Sequence, residues 1–299
     1  MKTALLRLFV RSLSLLPLPA LRGMGRAAGW LLYRVPNRER ETARVNLRLC
    51  FPGMEEKERE VLLRACLRET ATTVLEMPAV WYGRTGTWLE RMEADDARQD
   101  IRALLDRGRG LIVAMPHLGN FELSAHFFGD LARATGLYRP PRKAGLESVM
   151  LEGRSRPGQN RMVATDRRGV RELHQALSRG EIVVILPDQQ PKAQRGGTGV
   201  FAPFFGVPAL TMTLVSRFAR KHGAPVYFIG FLRQKGSAKY RVVGLEGDAA
   251  IGGEDPEAAA AALNAGVEAL VRMAPEQYQW TYRRFEKQPD GTNPYRQGS

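Results

Sequence analysis

Leu111-Ile112-Val113-Ala114-Met115-Pro116-His117-Leu118-Gly119-Asn120-Phe121-Glu122 is the stretch on which the fold turns. Its first five residues are continuously apolar and lie between Gly110 and Pro116, the pattern of a strand buried on both faces. Ile182-Val183-Val184-Ile185-Leu186, between Glu181 and Pro187, repeats that pattern. Residues 226–231 form a third apolar run, and residues 241–245 read as a fourth strand, joined to the third through the turn-forming Lys235-Gly236-Ser237. Helix-favouring stretches cover residues 55–80, 120–134, 169–179, 210–222 and 256–273. Strands alternating with helices predict an α/β fold, a mixed central sheet flanked by helices.

In such sheets ligands bind beyond the carboxyl ends of the strands. Two residues able to do chemistry stand there: His117, two residues past the first run, and Asp188, two past the second. A helix starting near Gly119 or Asn120 puts Glu122 in its first turn, where the carboxylate can fold back towards the loop carrying His117. A carboxylate on one ring nitrogen fixes the tautomer and leaves the other nitrogen to accept a proton. No serine or cysteine nucleophile signature lies nearby, so the pair suggests direct activation of a substrate hydroxyl and no covalent acyl-enzyme. A first-turn glutamate is also favoured by the helix dipole alone, so this spacing by itself does not establish catalysis. Cys50 and Cys66 are too few for a disulfide framework or a thiolate metal site, and are read as free thiols. His117, His126, His174 and His222 form no metal-ligand spacing, so neither a metal nor a cofactor is expected. Gly196-Gly197-Thr198-Gly199 lacks the Lys-Ser/Thr of a phosphate-binding loop.

The stretch His117-Leu118-Gly119-Asn120-Phe121-Glu122 resembles the active-site motif of the bacterial lipid A biosynthesis acyltransferases. Tyr138-Arg139-Pro140, Gly153-Arg154, Thr165-Asp166-Arg167, Leu186-Pro187-Asp188-Gln189, Phe201-Ala202-Pro203-Phe204-Phe205-Gly206 and Ala274-Pro275-Glu276-Gln277-Tyr278-Gln279-Trp280 resemble further blocks of that family, in its order. The resemblance implies His117 as general base, Glu122 as its orienting partner and Arg154 as the oxyanion stabiliser. It also brings in Asn120, Arg167 and Asp188 as substrate-site residues, with phosphate binding expected of Arg167 and loop positioning of Asp188. Phe201, Phe204 and Phe205 are expected to line an acyl-chain tunnel, against the plainer reading that clustered phenylalanines are core. The implied activity is acyl transfer from an acyl-carrier-protein thioester to a hydroxyl of a lipid A precursor, late in lipopolysaccharide synthesis. The same chemistry on another membrane glycolipid or phospholipid is the nearest alternative.

The formal net charge of +14 points to an anionic partner. Residues 133–179 hold 11 basic and 4 acidic residues, a concentration suited to a phosphorylated glycolipid and an acidic carrier; Arg139, Arg142 and Lys143 are expected to meet the carrier away from the active-site mouth. A basic nucleic-acid-binding protein is the rival of another class, supported by charge alone, and no nucleic-acid motif is present. The chain is acid-free and leucine-rich up to Glu39. Its longest uncharged run there, residues 12–21, contains Pro17 and Pro19 and falls short of the roughly 20 apolar residues of a spanning helix. Residues 1–35 therefore read as a membrane-anchoring helix at the cytoplasmic face of the inner membrane, with Arg7 and Arg11 turned to headgroups. Packing of that helix on the protein's own core is the competing reading. An acyltransferase domain is expected over residues 36–287 and a polar, mobile tail over 288–299.

Overall fold

A computed structural model describes residues 2–141, 144–191 and 199–296. The two apolar runs become β2 (Leu111–Ala114) and β5 (Ile182–Ile185), which pair in parallel with Ala114 opposite Ile185. On the other side of β2 runs β8 (Val226–Arg233), buried along its whole length, and β9 (Tyr240–Glu246) turns back antiparallel to it through Gly236. The sheet is completed by β1 (Met92–Glu93), β3 (Ala134–Tyr138) and β4 (Arg161–Ala164) in the order β1-β9-β8-β2-β5-β3-β4, parallel except at β8–β9. Because side chains alternate across a strand, the sheet feeds two cores. Ile112, Ala114, Val183, Ile185 and Phe228 enter one, while Leu111, Val113, Ile182, Val184 and Phe231 enter the other.

Helices cover both faces. In chain order they are α1 (Lys2–Ser14), α2 (Leu18–Arg34), α3 (Arg38–Cys50), α4 (Glu56–Tyr82), α5 (Thr85–Leu89), α6 (Asp95–Leu105), α7 (Ser124–Leu131), α8 (Ala144–Ser155), α9 (Arg167–Ser178), α10 (Leu214–His222) and α11 (Pro256–Met273). The expected helix over 120–134 is a single 3-10 turn, Phe121–Leu123, followed by the short α7, and its last residue already belongs to β3. Residues 210–212 likewise belong to β7 (Val207–Met212), which pairs with β6 (Gly199–Phe204) in a separate two-stranded ribbon. Phe205 and Gly206 close that ribbon, both at positive φ, as a two-residue hairpin requires.

The first 35 residues do not form a detached anchor. Leu18 and Leu21 of α2 are buried, and Gly25 and Gly29 bring its backbone against Thr72 and Arg68 of α4, where a Cβ would overlap. Val10 of α1 is buried against Trp81 of α4 and Val149 of α8. Arg7 and Arg11 turn towards the protein and pair with Glu152 of α8 at 3.1 and 2.8 Å, which corrects the reading of that stripe as headgroup-facing. Leu5, Leu8, Phe9, Leu15, Trp30 and Leu31 remain exposed. Among the described residues no single helix is long and apolar enough to cross a membrane; α1 and α2 together pass on length and composition but are bent by 112°. Residues 288–296 lie back on the body: the Tyr295 hydroxyl donates to Asn46 Oδ1 at 2.5 Å and accepts from the Phe285 amide at 3.0 Å.

Candidate active site

The register of β2 and β5 builds the centre of the site. His117 and Asp188 each stand three residues beyond the paired Ala114 and Ile185, so they emerge side by side at the carboxyl end of the sheet. The Asp188 carboxylate accepts the His117 backbone N–H at 3.0 Å on Oδ2 and faces the ring Nδ1 at 2.9 Å with Oδ1. Burial opposes the charge on Asp188, but the imidazole and the two hydrogen bonds outweigh it and hold the carboxyl below its usual range. An ionised acceptor on Nδ1 places the ring proton there and leaves Nε2 as the basic atom. Gln189 reaches towards Nε2 at 3.4 Å, and Phe121 packs edge-on against the ring, centroids 5.0 Å apart.

The loop after His117 is pinned on its far side. Gly119 has φ +63° and lies on β8, where a Cβ would overlap the Phe231 carbonyl oxygen. Its amide donates to Gln277 O at 3.0 Å, Asn120 N donates to Phe231 O at 2.8 Å, and Gln279 N donates to His117 O at 3.0 Å. The C-terminal block around Trp280, 1% exposed, thus clamps the loop that carries His117.

Glu122 takes a different partner from the one its spacing suggests. It is 3% exposed and receives Arg154 Nε and Nη2 at 2.9 and 2.6 Å and Trp81 Nε1 at 2.8 Å. Despite burial, Arg154 holds the Glu122 carboxyl below its usual range. Gly153 makes the pairing possible: any Cβ there would overlap the Trp81 ring, so only glycine brings α8 close enough to set Arg154 over Glu122. The fork pairing leaves Arg154 Nη1 without a partner among the described residues. The orienting carboxylate of His117 is therefore Asp188, and Glu122 positions Arg154.

A cavity of about 690 Å³ opens in front of His117, lined also by Glu122 and Arg154. It runs between α7, α8 and the β5–β3–β4 part of the sheet. Its apolar wall includes Met115, Phe128, Ala134, Met150, Met162 and Val184, and its basic groups are Arg139, Arg154, Arg161, Arg167 and Arg217. Exposed Arg167 stands at the start of α9, just after Asp166 caps that helix through Gly169 N at 2.8 Å. Asn120 is absent from the lining: it is wholly buried and donates to Glu76 Oε2 at 2.8 Å, so it is a loop anchor and not a substrate contact. Phe204 and Phe205 are also elsewhere, packed on each other at 5.0 Å, with Phe205 against Phe51 and Trp280 and Phe204 against Tyr278 and Phe285. Phe201, paired with Leu210 in the ribbon, does not line the cavity either; Val184 of β5 faces that cavity, whereas Phe204 and Phe205 share a core with Val183 and Ile185 on the other side of the strand. Arg139 sits on the cavity lining and not at a remote surface, while Arg142, Lys143 and residues 196–198 lie outside the described residues.

Sequence reasoning missed the direct His117–Asp188 contact, although its signal was present. Ala114-Met115-Pro116-His117 and Ile185-Leu186-Pro187-Asp188 have the same layout, and only the pairing of the two strands in that register was needed to join their ends. The apolar wall left no such signal, since it is assembled from single residues of β3, β4, β5, α7 and α8.

The family of bacterial lipid A biosynthesis acyltransferases matches residues 2–287. The chain belongs to it. It is 30% identical to a lipid A biosynthesis lauroyltransferase of Escherichia coli over 92% of this chain and 88% of that protein. It is 31% identical to a lipid A biosynthesis acyltransferase of Haemophilus influenzae over 95% and 90% of the two chains. A lipid A biosynthesis palmitoleoyltransferase of Escherichia coli is 30% identical, over 92% and 88%. In this member of the family the His117–Asp188 pair stands at the mouth of the cavity. A basic rim and an apolar interior meet beside His117.

Proposed function

We propose that this protein transfers a fatty acyl group from acyl-carrier protein to a hydroxyl of a lipid A precursor, in a late step of lipopolysaccharide synthesis at the cytoplasmic face of the inner membrane. The observation that carries this reading is the buried His117–Asp188 pair opening on a cavity with an apolar wall and basic groups at its rim. His117 Nε2 removes the acceptor hydroxyl proton as the oxygen attacks the thioester carbonyl. The tetrahedral oxyanion then collapses, the C–S bond breaks, the ester forms, and the proton on Nε2 passes to the departing carrier thiolate. Arg154, held by Glu122, offers its remaining donor to the oxyanion; a preorganised donor of this kind contributes about 3 kcal/mol, and less when a carboxylate shares its charge. Arg167 binds a phosphate of the acceptor, and the apolar wall takes the acyl chain. The exposed apolar side chains of α1 and α2 lie on the membrane surface.

The test is turnover of acyl-carrier protein and lipid A precursor by the purified protein, read by mass spectrometry of the product. His117→Ala is expected to cut turnover by roughly 10²- to 10⁴-fold with the fold intact. Undiminished turnover in a folded His117→Ala protein defeats the mechanism, and acylation only of a different glycolipid moves the substrate assignment.

A further inference from the structure

Away from the cavity the protein buries a second charged cluster that the reaction does not use. Glu76 of α4 is fully buried and accepts Arg22 Nε of α2 at 2.6 Å on Oε1 and Arg233 Nε of β8 at 2.9 Å on Oε2. Arg233 continues to Thr73 Oγ1 at 2.5 Å and Glu69 Oε2 at 3.0 Å. Arg22 also donates to the Ser237 carbonyl and lies over the Tyr240 ring, 5.2 Å from its centroid. Burial works against the Glu76 charge, but Arg233 and Arg22 overcome it and keep the carboxyl below its usual range. Stability alone gives no reason for such a cluster, because removing these charges from water offsets most of what their pairing contributes.

What the cluster does hold is the catalytic loop. Glu76 Oε2 accepts the Asn120 side-chain amide at 2.8 Å, and Thr73 Oγ1 donates to the Gly119 carbonyl at 3.1 Å. Gln277 spans the same place, accepting Arg233 N at 2.8 Å and donating to Arg233 O at 3.0 Å, while its carbonyl accepts Gly119 N. Gly119 and Asn120 are the second and third residues after His117. Arg22 is the contribution of α2, whose opposite side exposes Met24, Trp30 and Leu31.

We propose that Arg22 is a positioning residue for His117: through Glu76 and Asn120, helix α2 holds the catalytic loop, so the amino-terminal segment completes the active site as well as facing the membrane. The inference rests on His117 acting as the base. It is tested with full-length protein and substrates dispersed in detergent, where membrane binding is not needed. Arg22→Ala is expected to lower kcat by roughly 10- to 100-fold, as small displacements of a catalytic group do, with KM for both substrates unchanged. Arg22→Lys, which keeps the charge, is expected to recover most of that loss. The pair Arg22→Ala and Asn120→Ala is expected to fall little below the worse single variant, because both act along one path. A wild-type kcat per folded molecule in Arg22→Ala, or a raised KM with kcat intact, overturns the proposal. If Arg22→Ala fails to fold, Arg22→Gln, which keeps the length of the side chain and removes its charge, carries the same kcat comparison. His117→Ala runs alongside: an inactive His117→Ala beside a fully active Arg22→Ala defeats the positioning role alone, whereas an active His117→Ala removes the catalytic reading on which it rests.

Discussion

At the scale of single residues, the two buried carboxylates near His117 do different work and fail differently. Asp188→Asn keeps the size of the side chain but can present its amide N–H to Nδ1, which puts the ring proton on Nε2. We expect kcat to fall about 10²- to 10⁴-fold with a near-normal melting temperature, measured by steady-state turnover and thermal denaturation. Glu122→Gln instead leaves the Arg154 guanidinium without its counter-charge, the side chain being only 20% exposed. Breaking a buried pair from one side costs about 3–5 kcal/mol, and the partial exposure of Arg154 sets this case at the lower end. Adding Arg154→Met is expected to restore part of that stability in urea titrations and none of the activity. The pH dependence follows from Glu76, Glu122 and Asp188, all held below their ordinary values of 4.5, 4.5 and 3.8. A carboxyl lowered in the folded state stabilises fully above its unfolded value and loses that contribution as pH falls through the folded one. Stability from these groups is therefore expected to be level above about pH 5 and to decline below about pH 4, measured by urea titration across that range.

At the scale of elements, α1 and α2 each have an inward face and an outward one. The inward face is made of Leu18, Leu21, Gly25, Gly29 and the paired arginines, the outward one of Leu8, Trp30 and Leu31, which are 64%, 50% and 54% exposed. Leu8→Glu, Trp30→Glu and Leu31→Glu touch no core contact and are expected to shift stability by less than about 0.5 kcal/mol. An apolar side chain transferred to lipid contributes about 1.5–3 kcal/mol, so each change is expected to weaken co-sedimentation with anionic vesicles at least about tenfold. The loop between β2 and α7 behaves in the opposite way: Gly119→Ala places a Cβ against the Phe231 carbonyl at φ +63° and is expected to cost more than about 2 kcal/mol in chemical denaturation.

At the scale of the whole molecule, the central sheet separates two apolar cores, and the site lies at its carboxyl edge where β2 and β5 end together. Cys50 and Cys66 belong to the core that contains Trp280, and burial pushes both thiols above their ordinary range. They are expected to resist a thiol reagent at about pH 8 and to react at the rate of global unfolding, followed by mass spectrometry of the labelled chain. Early labelling of either thiol would show that this core opens locally.

How much of this was legible follows from where each signal is written. Continuous apolar runs dictate β2, β5 and β8, because a strand buried on both faces can tolerate little else; α4 follows from the long breaker-free stretch before Pro78, which the helix then includes, and α11 from its Asp255 cap. The strands β3 and β4 escape the same reading, since they flank the cavity and the sheet edge and carry Gly136 and Arg161 where a core strand would carry valine. Gly119 and Gly153 are decided by contacts to β8 and α4 that no local pattern records. The sequence by itself determined the strand ends that carry His117 and Asp188, the residues of the His117–Glu122 motif and the family they mark. Only the tertiary structure decided which carboxylate meets the imidazole, that Asn120 faces inward, that the phenylalanine block lies away from the cavity and that Arg22 pairs with the carboxylate that holds Asn120. The physical reason is that a strand's propensity is local, whereas a hydrogen bond between side chains 71 positions apart, as between His117 and Asp188, exists only once strand register has brought their backbones together.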